Sequence, residues 1–282
     1  MGVIEWLVLV AAGAAGAALI WGYLPRRRYR RYMARPFPDD WNDALSRVPL
    51  CDGLPEALRA ELRDKIKAFL YHKRFVGCEG LEVDDDMRVQ VAALACLLVL
   101  NRPSTLYRPV QWVYLFPGAF RSRRPERDEF GVVSTPEGDL LGHSWSNGRV
   151  VLAWDSVRKG IARPDDGFNV VLHEFAHQLD QEDGSADGAP LLYERRDYAD
   201  WSDVLSEEYE QLHRDLESGR HTLIDPYGAT NPAEFFAVVT ELFYECPHDL
   251  ADRHPRLFRA FMDYYRVDPR EWRDKPCRGR WP

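Results

Sequence analysis

The alternation of apolar and polar residues along the chain predicts a mainly helical fold. In three segments apolar residues recur at intervals of three and four, which indicates amphipathic helices that pack one face on a core. A fourth segment begins with acidic residues and then becomes continuously apolar, as in a helix buried on all sides. The amphipathic segments are residues 55–69, 198–217 and 254–265, and the buried segment is 84–98.

Three short segments have the composition of β-strands. Aromatic and β-branched residues dominate residues 111–116, 130–133 and 149–153, and loops that contain proline or glycine separate them. These strands predict a small β-sheet ahead of the next apolar run, residues 168–179. The expected fold class is therefore α+β, with helices in the majority and one small sheet.

The amino terminus carries a different pattern. Residues 6–24 are uncharged and apolar, and their number is close to the roughly 20 residues that a helix needs to cross a bilayer. The arginine-rich run at residues 26–31 follows at once, so the positive-inside tendency predicts one transmembrane helix with the rest of the chain in the cytoplasm. A cleaved signal peptide is disfavoured, because Glu5 rather than positive charge precedes the apolar run.

Two regions follow from this pattern: residues 1–35 as a membrane anchor with a basic linker, and residues 36–282 as one domain. The whole chain has a net charge of −8 although the first region is basic, so the second region is strongly acidic. An acidic domain argues against direct binding of nucleic acid, and the basic linker is expected to meet anionic lipid headgroups. The predicted location is the cytoplasmic membrane, with a single span and the domain facing the cytoplasm.

The five cysteines are odd in number and show no Cys-x-x-Cys spacing. We therefore expect neither a disulfide framework nor a thiolate metal site. Cys96 and Cys246 lie in apolar surroundings and are predicted to be small core residues. This use of cysteine fits a reducing compartment.

The strongest chemical signal is the His-Glu-x-x-His motif formed by His173, Glu174 and His177. Positions i and i+4 of a helix lie on one face, so the two histidines can bind one zinc ion while Glu174 stands beside them. The alternative is a pair of histidines satisfied by ordinary hydrogen bonds. The apolar flanks favour a metal, because a buried polar trio is costly to desolvate without a partner.

A catalytic zinc ion usually has three protein ligands, so one more must come from elsewhere. In the metzincin pattern a glycine three residues after the second histidine allows a turn, but Asp180 stands there, which disfavours Asp183 as the third ligand. Residues 231–245 predict a second buried helix whose apolar face carries Glu234 and Glu241. Glu234 also suits a capping box, which needs no metal, so spacing alone leaves both glutamates open as ligands.

A family resemblance distinguishes between them. Residues 168–180 and 225–238 together resemble the Mlc titration factor family of zinc-dependent peptidases, which is related to the catalytic domain of anthrax lethal factor. The likeness runs from about residue 41 to 265 and implies a zincin-like metallopeptidase domain that binds one Zn²⁺ per chain. The residues that the resemblance assigns are the zinc ligands His173, His177 and Glu234, the general base Glu174, and Tyr227, which stabilises the oxyanion.

The resemblance also implies a function. It implies hydrolysis of peptide bonds by a zinc-activated water, with aminopeptidase action on short substrates, and contact with a glucose-responsive repressor, Mlc, that links the chain to sugar uptake. The alternative is a non-catalytic protein that uses zinc only to stabilise its fold while it sequesters a transcriptional repressor. A structural zinc site usually has four protein ligands, whereas a catalytic site keeps one position open. Asp180 also matches the family, either to orient a ligand or as a residue near the helix end.

Overall fold

The computed structural model of the chain divides it by contacts into two units, Met1–Pro38 and Asp39–Pro282. The roles assigned to residues 1–35 and 36–282 stay predictions. The structure describes residues 2–4, 6, 13, 16, 22–102, 105–119, 126–127, 133–134, 142–145, 148–194, 197–274 and 277.

The first unit corrects the predicted membrane anchor. Within the described residues, no helix combines the length and the apolar character that crossing a bilayer requires. The helix described here, α1 (Leu24–Met33), carries exposed arginines instead of an apolar surface. The predicted location as a single-pass membrane protein is therefore wrong. Most of the predicted span, residues 6–24, lies outside the described residues.

The second unit contains the helices that the apolar periodicity predicts near residues 55–69, 84–98, 198–217, 231–245 and 254–265, with ends shifted by a few residues. Its described helices are α2 (Asp39–Ser46), α3 (Glu56–His72), α4 (Asp85–Leu97), α5 (Trp154–Ala162), α6 (Val170–Asp180), α7 (Asp197–Glu217), α8 (Pro232–Glu245), α9 (Pro247–Arg253) and α10 (Pro255–Tyr265). Single 3₁₀ turns lie at Pro49–Cys51, Gln181–Asp183, Pro226–Ala229 and Pro269–Glu271.

The strands form one small sheet and a separate short pair. The strands are β1 (Arg74–Gly77), β2 (Trp112–Phe116), β3 (Glu126–Arg127), β4 (Val133–Ser134), β5 (Gly142–Trp145) and β6 (Arg149–Ala153). The sheet has the order β1-β2-β6-β5, in which β5 alone is antiparallel to its neighbour. β3 pairs with β4. Of the predicted strand at residues 130–133, Val133 begins β4 and the rest lies outside the described residues. The α+β class, mainly helical with a small sheet, is confirmed.

The helix that carries the histidine motif, α6, lies inside the core of the second unit. It packs against α8 and also contacts α4, β5 and β6. Its Phe175 is fully buried, and the ring meets Phe69 and Tyr107 edge to face at centroid distances of 5.7 Å and 4.8 Å. Because close-packed interiors hold side chains in defined rotamers, this packing fixes how α6 presents its other face to α8.

The cysteines differ from the prediction. Cys246, which follows the last residue of α8, forms a disulfide with Cys277. The two lie 31 residues apart and belong to no motif, so only their proximity in the fold reveals the pair. Cys51, Cys78 and Cys96 are free. Burial raises the pKa of Cys51 to about 12, which makes this thiol a packing residue and not a nucleophile.

Candidate active site

Two asparagine caps define the starts of the helices that form the site. The side chain of Asn169 accepts hydrogen bonds from the backbone N–H groups of Val171 and Leu172 at 3.2 and 3.3 Å, which begins α6. The side chain of Asn231 accepts from the N–H of Glu234 at 2.9 Å and begins α8, with Pro232 in the first turn. Each cap lies within one or two turns of a predicted site residue. The local sequence therefore determines where each helix begins and thus the position of those side chains along it.

Three predicted ligands converge where α6 faces α8. Nε2 of His173 lies 3.0 Å from Oε2 of Glu234, and Nε2 of His177 lies 3.3 Å from the same oxygen. The two Nε2 atoms are 3.2 Å apart. The carboxylate of Glu234 thus lies at the two histidines and does not serve as the back-bonding arm of a capping box. All three residues are partly buried.

The chemistry of this donor set fits a cation. Nδ1 of His173 lies 2.7 Å from Oε1 of Glu241. An ionised carboxylate only accepts, so with Glu241 ionised Nδ1 carries a proton and a neutral ring has its lone pair on Nε2. That lone pair faces the electron-rich oxygen of Glu234, so the two atoms repel each other. A positive charge among these atoms, either a proton or a metal ion, removes this repulsion. Two imidazoles and one carboxylate are the ligands of many catalytic zinc sites.

The charges at the cluster follow from the same contacts. Burial alone would lower the pKa of His173, but Glu241 and Glu234 outweigh it and raise the pKa well above the ordinary value. Burial would raise the pKa of Glu234, but hydrogen bonds from His173 and His177 hold that pKa well below its usual range. A metal ion that binds here must displace a proton, which makes its affinity depend on pH.

Glu174 is a buried carboxylate beside the cluster. Glu174 is only 5% exposed, and its Oε2 atom has no hydrogen-bond partner among the described residues. Burial raises the pKa of Glu174 to about 8, although the positive charge of His173 opposes the shift. An unpartnered buried carboxylate oxygen is unusual in a folded protein. Such an oxygen is available to a water or a substrate that enters the site.

Tyr227 lies at the solvent side of the cluster. It belongs to the 3₁₀ turn Pro226–Ala229 just before α8, where the side chain of Asp225 accepts from its backbone N–H at 2.8 Å. Its ring centroid lies 6.0 Å from that of His173, and 53% of the residue is exposed. Partial burial and the negative charge of Glu234 raise the pKa of Tyr227 to about 12, so its hydroxyl is a donor at neutral pH.

Comparison with known proteins identifies the family. A family described as glucose-regulated metallo-peptidase M90 matches residues 24–266. The chain belongs to this M90 family.

An uncharacterized protein of Synechocystis sp. is 40% identical over 89% of this chain and 93% of its own length. Mlc titration factor A of Pectobacterium atrosepticum is 34% identical over 82% and 87%, and that of Escherichia coli (strain 55989) is 33% identical over 81% and 86%. The resemblance to the Mlc titration factor family is confirmed, and a metallopeptidase family implies a metal.

In this M90 protein, Asp180 makes a hydrogen bond that the sequence did not predict. Its Oδ2 accepts a hydrogen bond from the backbone N–H of Gly188 at 3.1 Å, and the carbonyl of Gly188 accepts from the indole of Trp201, also at 3.1 Å. Gly188 packs closely on the backbone of Pro232 in the first turn of α8. Asp180 therefore links the end of α6, through this loop, to the start of the helix that carries Glu234.

Proposed function

We propose that this chain is a zinc-dependent peptidase with one Zn²⁺ held by His173, His177 and Glu234. The observation that carries the proposal is the convergence of two Nε2 atoms and one carboxylate oxygen at mutual distances of 3.0 to 3.3 Å. Within the described part of the chain, these residues are the one group of histidine, cysteine and acidic side chains close enough to hold a metal. Three protein ligands leave a coordination position open, which favours a catalytic site over a structural one.

The neighbouring residues have contacts that suit hydrolysis. A zinc ion held by these three residues would supply a coordinated water of lowered pKa, about 7, and a Lewis acid for the carbonyl of the scissile peptide bond. The positive charge of such an ion would favour the ionised form of Glu174 and so oppose the effect of burial on its pKa. The unpartnered oxygen of Glu174 would then accept the proton of the attacking water and pass it to the amine that leaves. The hydroxyl of Tyr227 donates a hydrogen bond to the carbonyl oxygen as negative charge develops there.

The test compares wild type with Glu174→Gln. We expect the variant to keep one zinc ion per chain, because Glu174 is not a ligand, and to lose hydrolysis by at least roughly 100-fold, because the proton acceptor is gone. Elemental analysis and peptide cleavage are measured on the same preparations. Glu207→Gln is the matched control, since Glu207 lies exposed on α7 and pairs with Arg256. A zinc-loaded Glu174→Gln protein of full activity would exclude this role.

We further propose that the activity is that of an aminopeptidase, as the family resemblance implies. An aminopeptidase requires the free α-amino group of its substrate, whereas an endopeptidase does not. Alanine p-nitroanilide and its N-acetylated form therefore separate the two classes. We expect hydrolysis of the free amine and at least a 100-fold slower reaction of the acetylated substrate, on the order of what a site built for a polar group achieves. Equal rates for both substrates would contradict the proposal.

A second function is supported by the relatives named Mlc titration factor A. We propose that this chain also binds a transcriptional repressor of the Mlc type. Isothermal titration with purified Mlc, for wild type and for Glu174→Gln, checks it. Binding by both proteins means that repressor contact and hydrolysis are separate functions of one chain. Binding without hydrolysis by the zinc-loaded wild type would instead support the alternative of a non-catalytic, zinc-stabilised binding protein.

A further inference from the structure

Two buried glutamates of α8 lie behind the candidate metal site, on the side away from the ligand atoms. Glu241 is 2% exposed and Glu245 is fully buried. Oε1 of Glu241 lies 2.7 Å from Nδ1 of His173, and its Oε2 accepts from the backbone N–H of Asn169. Glu245 accepts from the N–H of Phe168 and from the side-chain amide of Asn169, both at 3.1 Å. Both glutamates therefore anchor the start of α6, but only Glu241 reaches a histidine.

We propose that Glu241 is a positioning residue of the metal centre, which holds the His173 ring in the tautomer that leaves Nε2 free for the metal. This inference rests on the proposed function, in which His173 is a ligand. The carboxylate only accepts, so it holds the ring proton on Nδ1. Its second oxygen is bound to the residue that caps α6, so the ring and the helix start share one anchor. Such contacts behind a ligand typically affect metal affinity.

The substitution Glu241→Gln tests this role. The glutamine side chain has nearly the same shape, but its amide has one accepting oxygen where the carboxylate has two. Its NH₂ group must therefore face either Nδ1 of His173 or the N–H of Asn169. In the first case Nδ1 has to accept, which moves the ring proton to Nε2 and removes the lone pair for the metal. In the second case two donors oppose each other, which displaces the side chain from the ring.

Glu245→Gln is the matched control. The two residues lie one turn apart on α8, both are buried, and each uses both oxygens to accept from separate donors at the start of α6. The control therefore reproduces the loss of one buried hydrogen bond at the same helix start. Because Glu245 binds Phe168 and Asn169 and Glu241 binds the histidine, only the test variant changes the contact to His173.

Zinc affinity of the full chain is measured by competition with a chromophoric chelator, for wild type and both variants. We expect the dissociation constant to rise roughly 10- to 100-fold for Glu241→Gln. The expected rise for Glu245→Gln is less than threefold. With saturating zinc, kcat of Glu241→Gln is expected to fall while KM stays within twofold, because Glu241 does not line the solvent side of the site. Wild-type affinity in Glu241→Gln, or an equal loss in Glu245→Gln, overturns the proposal.

A second measurement does not depend on the variants folding. Long-range ¹H–¹⁵N spectra of zinc-loaded wild type, with labelled histidine, report which nitrogen of His173 carries the proton. We expect Nδ1 to be protonated and Nε2 to be bound to the metal, and the opposite assignment overturns the proposal. Failure of the wild type to bind zinc would overturn the proposed function as well. Zinc binding with unchanged Glu241→Gln affinity would overturn only the role of Glu241.

Discussion

Tyr227 can be tested without disturbing the metal ligands. Its hydroxyl keeps its proton at neutral pH and lies on the open side of the site, where a substrate carbonyl would approach. We expect Tyr227→Phe to lower kcat by roughly 100-fold, because one donor to the developing oxyanion is lost. Zinc content and the free energy of unfolding should stay close to those of wild type, since about half of the residue is exposed. Steady-state kinetics and zinc analysis of one preparation check this.

Tyr209→Phe is the control for that substitution. The hydroxyl of Tyr209 donates to the carbonyl of Ala229 at 3.1 Å, in the same 3₁₀ turn that carries Tyr227. Its loss disturbs the turn but removes no donor from the site. A fall in kcat of the same size in Tyr209→Phe would show that the turn, and not the hydroxyl of Tyr227, determines the rate.

Loss of the metal should distinguish the ligand residues, whose removal abolishes zinc binding, from the general base Glu174, whose removal does not. Because two of the three ligands come from α6, His177→Ala leaves only His173 and Glu234, and we expect zinc binding and hydrolysis to be lost together. A chelator such as 1,10-phenanthroline should abolish the wild-type activity, and added zinc should restore it. Restoration by zinc in His177→Ala at micromolar concentration would contradict the ligand role of this residue.

At the scale of elements, the sequence predicted the two helices of the site but not how they meet. Caps and apolar periodicity are local signals, and they placed α6 and α8 close to their observed bounds. Glu234 and Glu241 lie seven residues apart on one helix face, so periodicity could not tell which of them meets Nε2 of His173 and which meets Nδ1. That distinction depends on the position of α8 along the axis of α6. This position is set by tertiary packing, and the spacing of residues in the sequence does not reveal it.

The loop that follows α6 and packs against the start of α8 gives a test at this scale. Gly188 has a φ of +77°, and a Cβ on it would meet the carbonyl of Pro232. We expect Gly188→Ala to cost roughly 1–2 kcal/mol for the left-handed backbone and at least about 1 kcal/mol more for that clash. Because the clash pushes on the first turn of α8, zinc affinity should fall as well. Urea unfolding and chelator competition measure the two effects.

Gly184 provides the matched control in the same loop. Its φ of +98° carries the same cost for alanine, but a Cβ there would meet nothing within 4 Å. We therefore expect Gly184→Ala to lose only the conformational part, roughly 1–2 kcal/mol, and to keep wild-type zinc affinity. Equal stability losses in the two variants would show that the contact of Gly188 with Pro232 does not support α8.

At the scale of the whole molecule, the predictions that failed depended on relations between distant residues. The cysteine count suggested free thiols, because pairing across 31 residues is invisible without the fold. The apolar amino terminus suggested a membrane span, but no helix among the residues that the structure describes is long and apolar enough to cross a bilayer. The fold class and the family were predictable because helical periodicity and the histidine motif are each contained within short stretches of sequence.

The disulfide between Cys246 and Cys277 gives the prediction at this scale, because it ties the end of the helix that carries Glu234 to the carboxyl-terminal segment. Closing a loop of 31 residues in the unfolded chain stabilises the folded state by about 3–4 kcal/mol in the chain-entropy account. We expect Cys277→Ser to lower the free energy of unfolding by that amount in oxidising buffer. The difference from wild type should shrink to less than about 1 kcal/mol when dithiothreitol reduces the wild-type bond.

Cys78→Ser controls for the loss of a thiol, since Cys78 is free and partly exposed. Its free energy of unfolding should respond to dithiothreitol as that of wild type does. Mass analysis after alkylation of protein that is unfolded in denaturant but not reduced should find three alkylated thiols in the wild type, on Cys51, Cys78 and Cys96. Five alkylated cysteines in protein purified under oxidising conditions, together with an unfolding curve that does not respond to dithiothreitol, would mean that the bond between Cys246 and Cys277 does not form.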